Sequence, residues 1–221
     1  VNELSAATSA RRGGGFFLLG LATCLLATVA MLLFVGGADL PTDASPDAGF
    51  ARDMATHHAQ AAEMAFLVRD RSSDERLRTL AYDIIVTQTA QRGVFMGWLQ
   101  QWGLSQSSAH PRMAWMDRHL HTTSSAAADA GGPGVMPGMA SDADLARLRQ
   151  AGGRDAEVLF LQLMIRHHEG GVEMARAILT ESARDEVATL ARNIESSQAG
   201  EITLMREMLV ERGAQPMAER E

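Results

Sequence analysis

The chain has 221 residues, a net charge of −7 and a sequence pI of about 5.5, which argues against partners such as nucleic acid or an anionic membrane surface. Its one cysteine, Cys24, sits in an apolar run near the N-terminus, so the remainder has no disulfide, no thiolate zinc site and no cysteine nucleophile. Methionine is abundant at 13 residues, while aromatics make up only 5%.

Residues 1–15 are polar and carry Arg11 and Arg12. Phe16 to Val35 is a run of 20 residues without a charge, long enough to span a bilayer as a helix. The arginines ahead of it favour a cytoplasmic N-terminus and an external C-terminal domain. The competing reading is a cleaved signal peptide, with Gly36 and Ala38 as the small residues of the cleavage site. Both readings put the following domain outside the cytoplasm. Residues 36–46 are a linker ending in Ser45-Pro46, a capping side chain followed by proline at the first helical position.

The first helix then runs to about Arg69. Its apolar seam is Phe50, Met54, His57, Ala61, Met64 and Val68, in alternating steps of four and three. Ser72-x-x-Glu75 predicts a capping box opening the second helix, which Gly103 stops. That seam is Leu77, Leu80, Ile84, Gln88, Gln91, Phe95, Trp98 and Trp102. The short connection makes the two helices antiparallel neighbours. Residues 104–140 read as a loop with a helical turn near Met113 to Leu120, and a loop of that length is usually functional or disordered. Ser141 caps a short helix to about residue 150, and Asp155 caps the next long helix, with Phe160, Met164, His167, Gly171, Met174 and Ile178 as its seam. Ser182-x-x-Asp185 predicts the last helix, ending near Arg212 before Gly213. Its seam is Val187, Leu190, Ile194, Gln198, Glu201, Met205 and Met208. No strand-like alternation is visible. The predicted architecture is all-α, a four-helix bundle over 47–213: one hairpin at 47–103, the loop and short helix at 104–153, a second hairpin at 154–213, and a tail at 214–221.

The hairpins are copies of one unit. FARDMATHHAQAAEMA (Phe50 to Ala65) and FLQLMIRHHEGGVEMA (Phe160 to Ala175) share F-x3-M-x2-H-H-x4-E-M-A at an offset of 110 residues. The match continues without a gap through Leu80/Leu190, Ile84/Ile194, Gln88/Gln198 and Gly103/Gly213. Each seam is polar only at its middle. With the first turn centred near residues 71 and 72, His57 lies level with Gln88, and the offset sets His167 beside Gln198. Two His–Gln pairs are therefore expected at one depth, where burial is costly unless each group finds a partner. His58 and His168 point about 100° away and are expected to face a groove or the surface. Met54 shares a face with His58, and Met164 with His168. Glu63 and Glu173 are expected to be half-exposed.

Imidazole and thioether together suit copper, Cu(I) especially, better than magnesium or calcium. The candidate ligands are His57, His167, Met54 and Met164, with His58, His168, Met64 and Met174 as near alternatives. Gln88, Gln198, Glu63 and Glu173 are candidates for orienting them, and the loop adds His119, His121, Met136 and Met139. The competing reading is that the methionines pack the core and the histidines hydrogen-bond in a polar layer that fixes register.

The doubled M-x2-H-H-x4-E-M, with Met136-Pro137-Gly138-Met139 ahead of the short helix, resembles the family catalogued as domain of unknown function 305 over about 47–213. The resemblance implies a ferritin-like four-helix bundle in secreted or membrane-anchored bacterial proteins. For some members it implies copper binding and copper tolerance through Met and His residues. A di-iron oxidase on such a bundle needs Glu-x-x-His motifs. None of the seven histidines has one, and Glu201, the one seam carboxylate, is matched by Gln91 in the other copy. The expectation is a non-enzymatic, copper-sequestering protein of the bacterial cell envelope, held to the membrane by its N-terminal helix or secreted. The alternative is an interaction or structural bundle whose polar layer only fixes packing.

Overall fold

Serine followed by proline opens the fold as expected: Ser45 Oγ accepts from the Ala48 amide at 3.3 Å and Pro46 begins the first helix. The computed structural model describes residues 40–116 and 135–217, with Leu25, Leu26 and Thr28. Its helices are α1 (Pro46–Arg69), α2 (Glu75–Gln101), α3 (Asp142–Gln150), α4 (Gly153–Glu181) and α5 (Asp185–Glu211), with a 3-10 turn at Ala114–Met116. No strand occurs among the described residues. No helix among them is long and apolar enough to cross a membrane. The proposed span at 16–35 lies outside them apart from Leu25, Leu26 and Thr28, as do His119 and His121.

Three helix starts differ from the local spacing. Asp74, not Ser72, caps α2, accepting from the Arg76 and Leu77 amides at 2.9 and 3.0 Å. Arg184, not Ser182, precedes α5, and α4 starts at Gly153 behind Gly152 rather than at Asp155. The two serines are spent between hairpins instead. Ser72 Oγ donates to Glu157 Oε1 at 2.6 Å, and Ser182 Oγ donates to Asp47. Asp47 and Glu157 are 110 apart, as are Ser72 and Ser182. One latch therefore occurs twice, joining the start of each of α1 and α4 to the end of the other. These helices run antiparallel, related by an approximate twofold axis. The contacts around the latches diverge: Arg212 pairs with Glu157 and Asp74 at 2.9 and 2.6 Å, whereas Arg184 lies over the Trp102 ring at 5.8 Å.

The hairpins end alike. Gly103 and Gly213 have φ of +70° and +62°, and the next amides, Leu104 and Ala214, return to the carbonyls of Leu99 and Leu209 at 2.8 and 3.0 Å. That is the left-handed glycine stop.

The core falls into two apolar clusters. One holds Met64, Leu77, Phe160, Met164 and Met205; the other holds Phe50, Met54, Phe95, Trp115, Met174 and Ile194. Along α1, Met54 belongs to one cluster and Met64 to the other, with the His57-His58 pair between. Along α4 the order reverses, with Met164, His167-His168 and Met174. A polar layer thus separates two dry halves.

The described ends of the long loop are docked. Asp53 Oδ2 accepts from the Met113 amide at 2.8 Å and from Trp115 Nε1 at 3.0 Å, and the Trp115 ring meets Phe50 edge-on at 5.5 Å. Gln60 clamps Ala140, donating to its carbonyl at 2.9 Å and accepting from its amide at 2.7 Å. The segment 136–140 then lies as a strap on α4. A methyl group on Gly170 would strike the Pro137 backbone, and one on Gly138 (φ +72°) the Arg166 carbonyl.

Candidate metal centre

All four histidines of the repeat are 0% exposed. For His58 and His168 this corrects the expectation of a groove or surface position. α1 packs against α2 on one side and α4 on another, and α4 against α1 and α5. Each of these helices therefore hides a wider arc than a single seam, and a side chain 100° off that seam is still covered.

Inside the layer, His57 and His167 meet across the twofold axis with ring centroids 3.8 Å apart and planes tilted by 35°. Equal depth holds, but the two His–Gln pairs do not form. His57 Nε2 is 3.1 Å from the Pro137 carbonyl of the strap, and the amides of Gln88 and Gln198 have no hydrogen-bond partner. Gln198 lies against Gly171, where a side chain would displace it. The outer imidazoles reach the neighbouring helix: His58 Nε2 lies 2.8 Å from Gln91 Oε1, and His168 Nε2 lies 2.6 Å from Glu201 Oε2. Gln91, Glu201 and Pro137 were not read from the sequence as partners of these rings. The signal for Gln91 and Glu201 is the spacing of 33 residues that recurs from 58 to 91 and from 168 to 201, whereas Pro137, 80 residues from His57, has no such signal.

Carbonyl, amide and carboxylate oxygens accept hydrogen bonds, so Nε2 of His57, His58 and His168 carries the hydrogen in each contact. The Nδ1 atoms of all three are buried without a hydrogen-bond partner, and those of His57 and His58 keep the lone pair. Both ring nitrogens of His167 are also unpartnered. With the Gln88 and Gln198 amides, the layer holds every unpartnered buried side-chain nitrogen or oxygen among the described residues except Arg166 Nε. Leaving one such group unsatisfied costs about 1–3 kcal/mol, and the layer concentrates buried polar atoms that have capacity left for a ligand.

Burial pulls His57 down to about 4, against the upward pull of the Pro137 carbonyl, and His168 adds to the fall. Burial and then His57 take His58 down to about 3, with the Gln91 contact opposing. Burial and the neighbouring histidines hold His167 well below its ordinary value. These three rings are therefore neutral near pH 7, the form in which imidazole ligates a metal.

The donor set fits a soft metal, and a ring N–H tied to a carbonyl or carboxylate is the usual support of a ligating histidine. The resting geometry is not a closed coordination sphere. Imidazole lone pairs lie in the ring plane, so two stacked rings do not aim theirs at one point. Among the described residues no three His, Cys, Asp or Glu side chains are grouped to hold an ion.

The methionines flank the layer. Met54 and Met174 lie in one apolar cluster and Met64 and Met164 in the other, all 0% exposed. Met136 is buried with Met54 and Met174, and Met139 packs half-buried beside them. Glu63 and Glu173 are half-buried as expected, but Glu63 pairs with Arg149 rather than with a histidine. An open groove of about 460 Å³ between α1 and α2 is lined by Glu63, Phe66, Thr89 and Arg92 and by His58, which itself stays fully buried.

The family model described as Domain of unknown function (DUF305) matches residues 47–209. A DUF305 protein of Streptomyces coelicolor, named as a secreted protein, is similar at 45% identity and a TM-score of 0.71, over 80% of this chain and 99% of that one. A DUF305 fragment from Deinococcus radiodurans is 34% identical with a TM-score of 0.61, over 77% of this chain and 99% of the fragment. CopM in its Cu(I)-bound form is 25% identical with a TM-score of 0.54, over 75% of this chain and 96% of CopM. No functionally curated protein matches the chain. With the family model covering the whole bundle from the start of α1 to near the end of α5, the chain belongs to the DUF305 family.

Proposed function

We propose that this chain is a metal-binding protein on a ferritin-like bundle, and that it sequesters copper in the buried histidine layer outside the cytoplasm. The observation that carries the reading is the set of bare Nδ1 atoms. His57 and His58 are neutral and tied outward through Nε2, His168 is tied outward to Glu201, and the Nδ1 atoms of all three are buried without a hydrogen-bond partner. His57, His58, His167 and His168 would hold the ion, and the thioethers of Met54, Met64, Met164 and Met174 supply soft donors on either side. CopM, of the same fold, has been solved with Cu(I), Cu(II) and silver at 25–26% identity, which supports a soft-metal role. An external location is supported by the arginine-preceded apolar run at 16–35 and by the Streptomyces relative named as secreted. The role is storage or transfer of the ion, without catalysis.

The rival reading is a structural or interaction bundle whose histidine layer fixes packing. It draws on the 3.8 Å stacking of His57 on His167, which holds the hairpins in register without a metal. Titration of the metal-free full chain with Cu(I) against a competing chelator separates the two. We expect submicromolar binding that is lost in the His57→Ala/His167→Ala variant while its helix content is retained. Undiminished binding by that variant, or none by the parent chain, would overturn the reading.

A further inference from the structure

The two copies of the repeat face the layer with different chemistry. His58 Nε2 donates to the Gln91 amide oxygen at 2.8 Å, and His168 Nε2 donates to the Glu201 carboxylate at 2.6 Å. Positions 91 and 201 are equivalent under the 110-residue repeat. Both rings are fully buried, so the difference lies in charge and not in depth. Of the three acceptors that tie the layer's Nε2 atoms, only Glu201 is charged.

The surroundings amplify that difference. Beside His58 the open groove of about 460 Å³ holds Ala62 and Arg92. The equivalent positions beside His168 are Val172 and Ile202, and both are buried. The Glu201 side chain is 21% exposed. Its charge acts next to aliphatic side chains, where it is less screened than in open water. The His58 half has the reverse arrangement, a neutral amide with an exposed guanidinium nearby.

An ion placed among neutral imidazoles leaves its whole charge in the core, and burying an unbalanced charge is costly. A carboxylate one imidazole away offsets part of that charge, and it makes the ring it holds more basic. Resting on the reading of this layer as a metal site, we propose that Glu201 is a positioning residue that makes the His168 half the stronger half. It orients the His168 ring by accepting from Nε2 and supplies the counter-charge that sets which ionic charge the layer accepts. One carboxylate balances one monovalent ion, such as Cu(I) or Ag(I), and leaves a divalent ion with a buried positive charge. Gln91 orients the His58 ring in the same way without contributing charge. The duplicated site is therefore electrically lopsided, with a charged side and a neutral side.

The test uses the full chain, free of metal, as parent, Glu201→Gln and Gln91→Glu. Ag(I) and Cu(II) are titrated separately, Ag(I) followed by the ring nitrogen resonances of the repeat histidines and the paramagnetic Cu(II) by the nitrogen hyperfine splitting in its electron paramagnetic resonance spectrum. Both substitutions keep an oxygen acceptor at the ring. Glu201→Gln is expected to weaken Ag(I) about tenfold and Cu(II) by more, within the range of about 10–100-fold for loss of a ligand's supporting partner. Gln91→Glu is expected to strengthen Cu(II) more than Ag(I). A parent that binds in the layer, with an Ag(I) to Cu(II) preference unchanged in both variants, overturns this inference and leaves the metal-site reading standing. A parent whose repeat histidines respond to neither ion overturns both. Gln91→Glu adds charge without removing a contact, so it decides the matter alone if Glu201→Gln fails to fold.

Discussion

Acid should begin to destabilise the metal-free protein well above the pH at which its carboxylates titrate. Burial holds the folded-state pKa of His57 at about 4 against an ordinary 6.5. Between those values the unfolded chain binds a proton that the folded chain refuses, so stability falls as pH falls. The contribution is fully present above pH 6.5, and its loss is complete only below about pH 4. For His57 alone the loss amounts to about 3 kcal/mol. His58, held at about 3, and His167, displaced in the same direction, add losses of the same sign. Against a typical domain stability of about 5–15 kcal/mol, these losses remove a large share of the margin that keeps the bundle folded. Asp53 opposes them, because burial raises its pKa and protonation then favours the folded state, but it is a single group. Asp43, Asp74 and Asp144 are all lowered below 3.8 and lose their contributions only at lower pH. The assay is urea unfolding by circular dichroism in excess chelator at steps from pH 7.5 to 4.5. The midpoint should fall steadily below pH 6.5, with a shallower slope in His57→Gln. A midpoint constant over that range, or one that rises, would refute the argument that these imidazoles are buried neutral.

Other consequences follow from particular contacts. Gly170→Ala sets a methyl group against the Pro137 backbone and should cost about 1–3 kcal/mol in denaturant unfolding, the usual range for overpacking. Gly93→Ala is the control, since nothing lies within 4 Å of its added carbon, and it should be neutral or stabilise by up to about 1 kcal/mol. Gln60→Ala removes both bonds to Ala140, so amide exchange of the 136–140 strap should speed up while that of α2 and α5 stays unchanged. Trp115→Phe keeps the apolar contact with Phe50 but loses the donor to Asp53, and it should cost about 1–3 kcal/mol by thermal melting.

The bundle was legible because its determinants are local or periodic. Ser45-Pro46 and Ser141 open helices where the sequence places them, and the left-handed glycines at 103 and 213 close α2 and α5. The repeat then made one hairpin a template for the other. What stayed hidden depends on partners far away in sequence. Ser72 has the spacing of a cap, yet its hydroxyl serves Glu157, 85 residues on. His57 was assigned to Gln88 by depth, but depth does not reveal that a strap from residues 136–140 would offer it a carbonyl. His58 and His168 looked peripheral because one seam was drawn per helix, while α1 and α4 each have two neighbours. His57, His167, Gln88 and Gln198 were placed together at one buried level, His58 and His168 were placed outside it, and who holds whom within the layer was not legible.

Histidine ring nitrogen resonances, recorded on the full chain before and after one equivalent of Ag(I), test the metal centre most directly. The account predicts Nε2-protonated rings for His57, His58 and His168 in the free protein, with the Nδ1 signals of the layer moving on addition of silver. Nδ1-protonated rings in the free protein, or Nδ1 signals that ignore the silver, would contradict it.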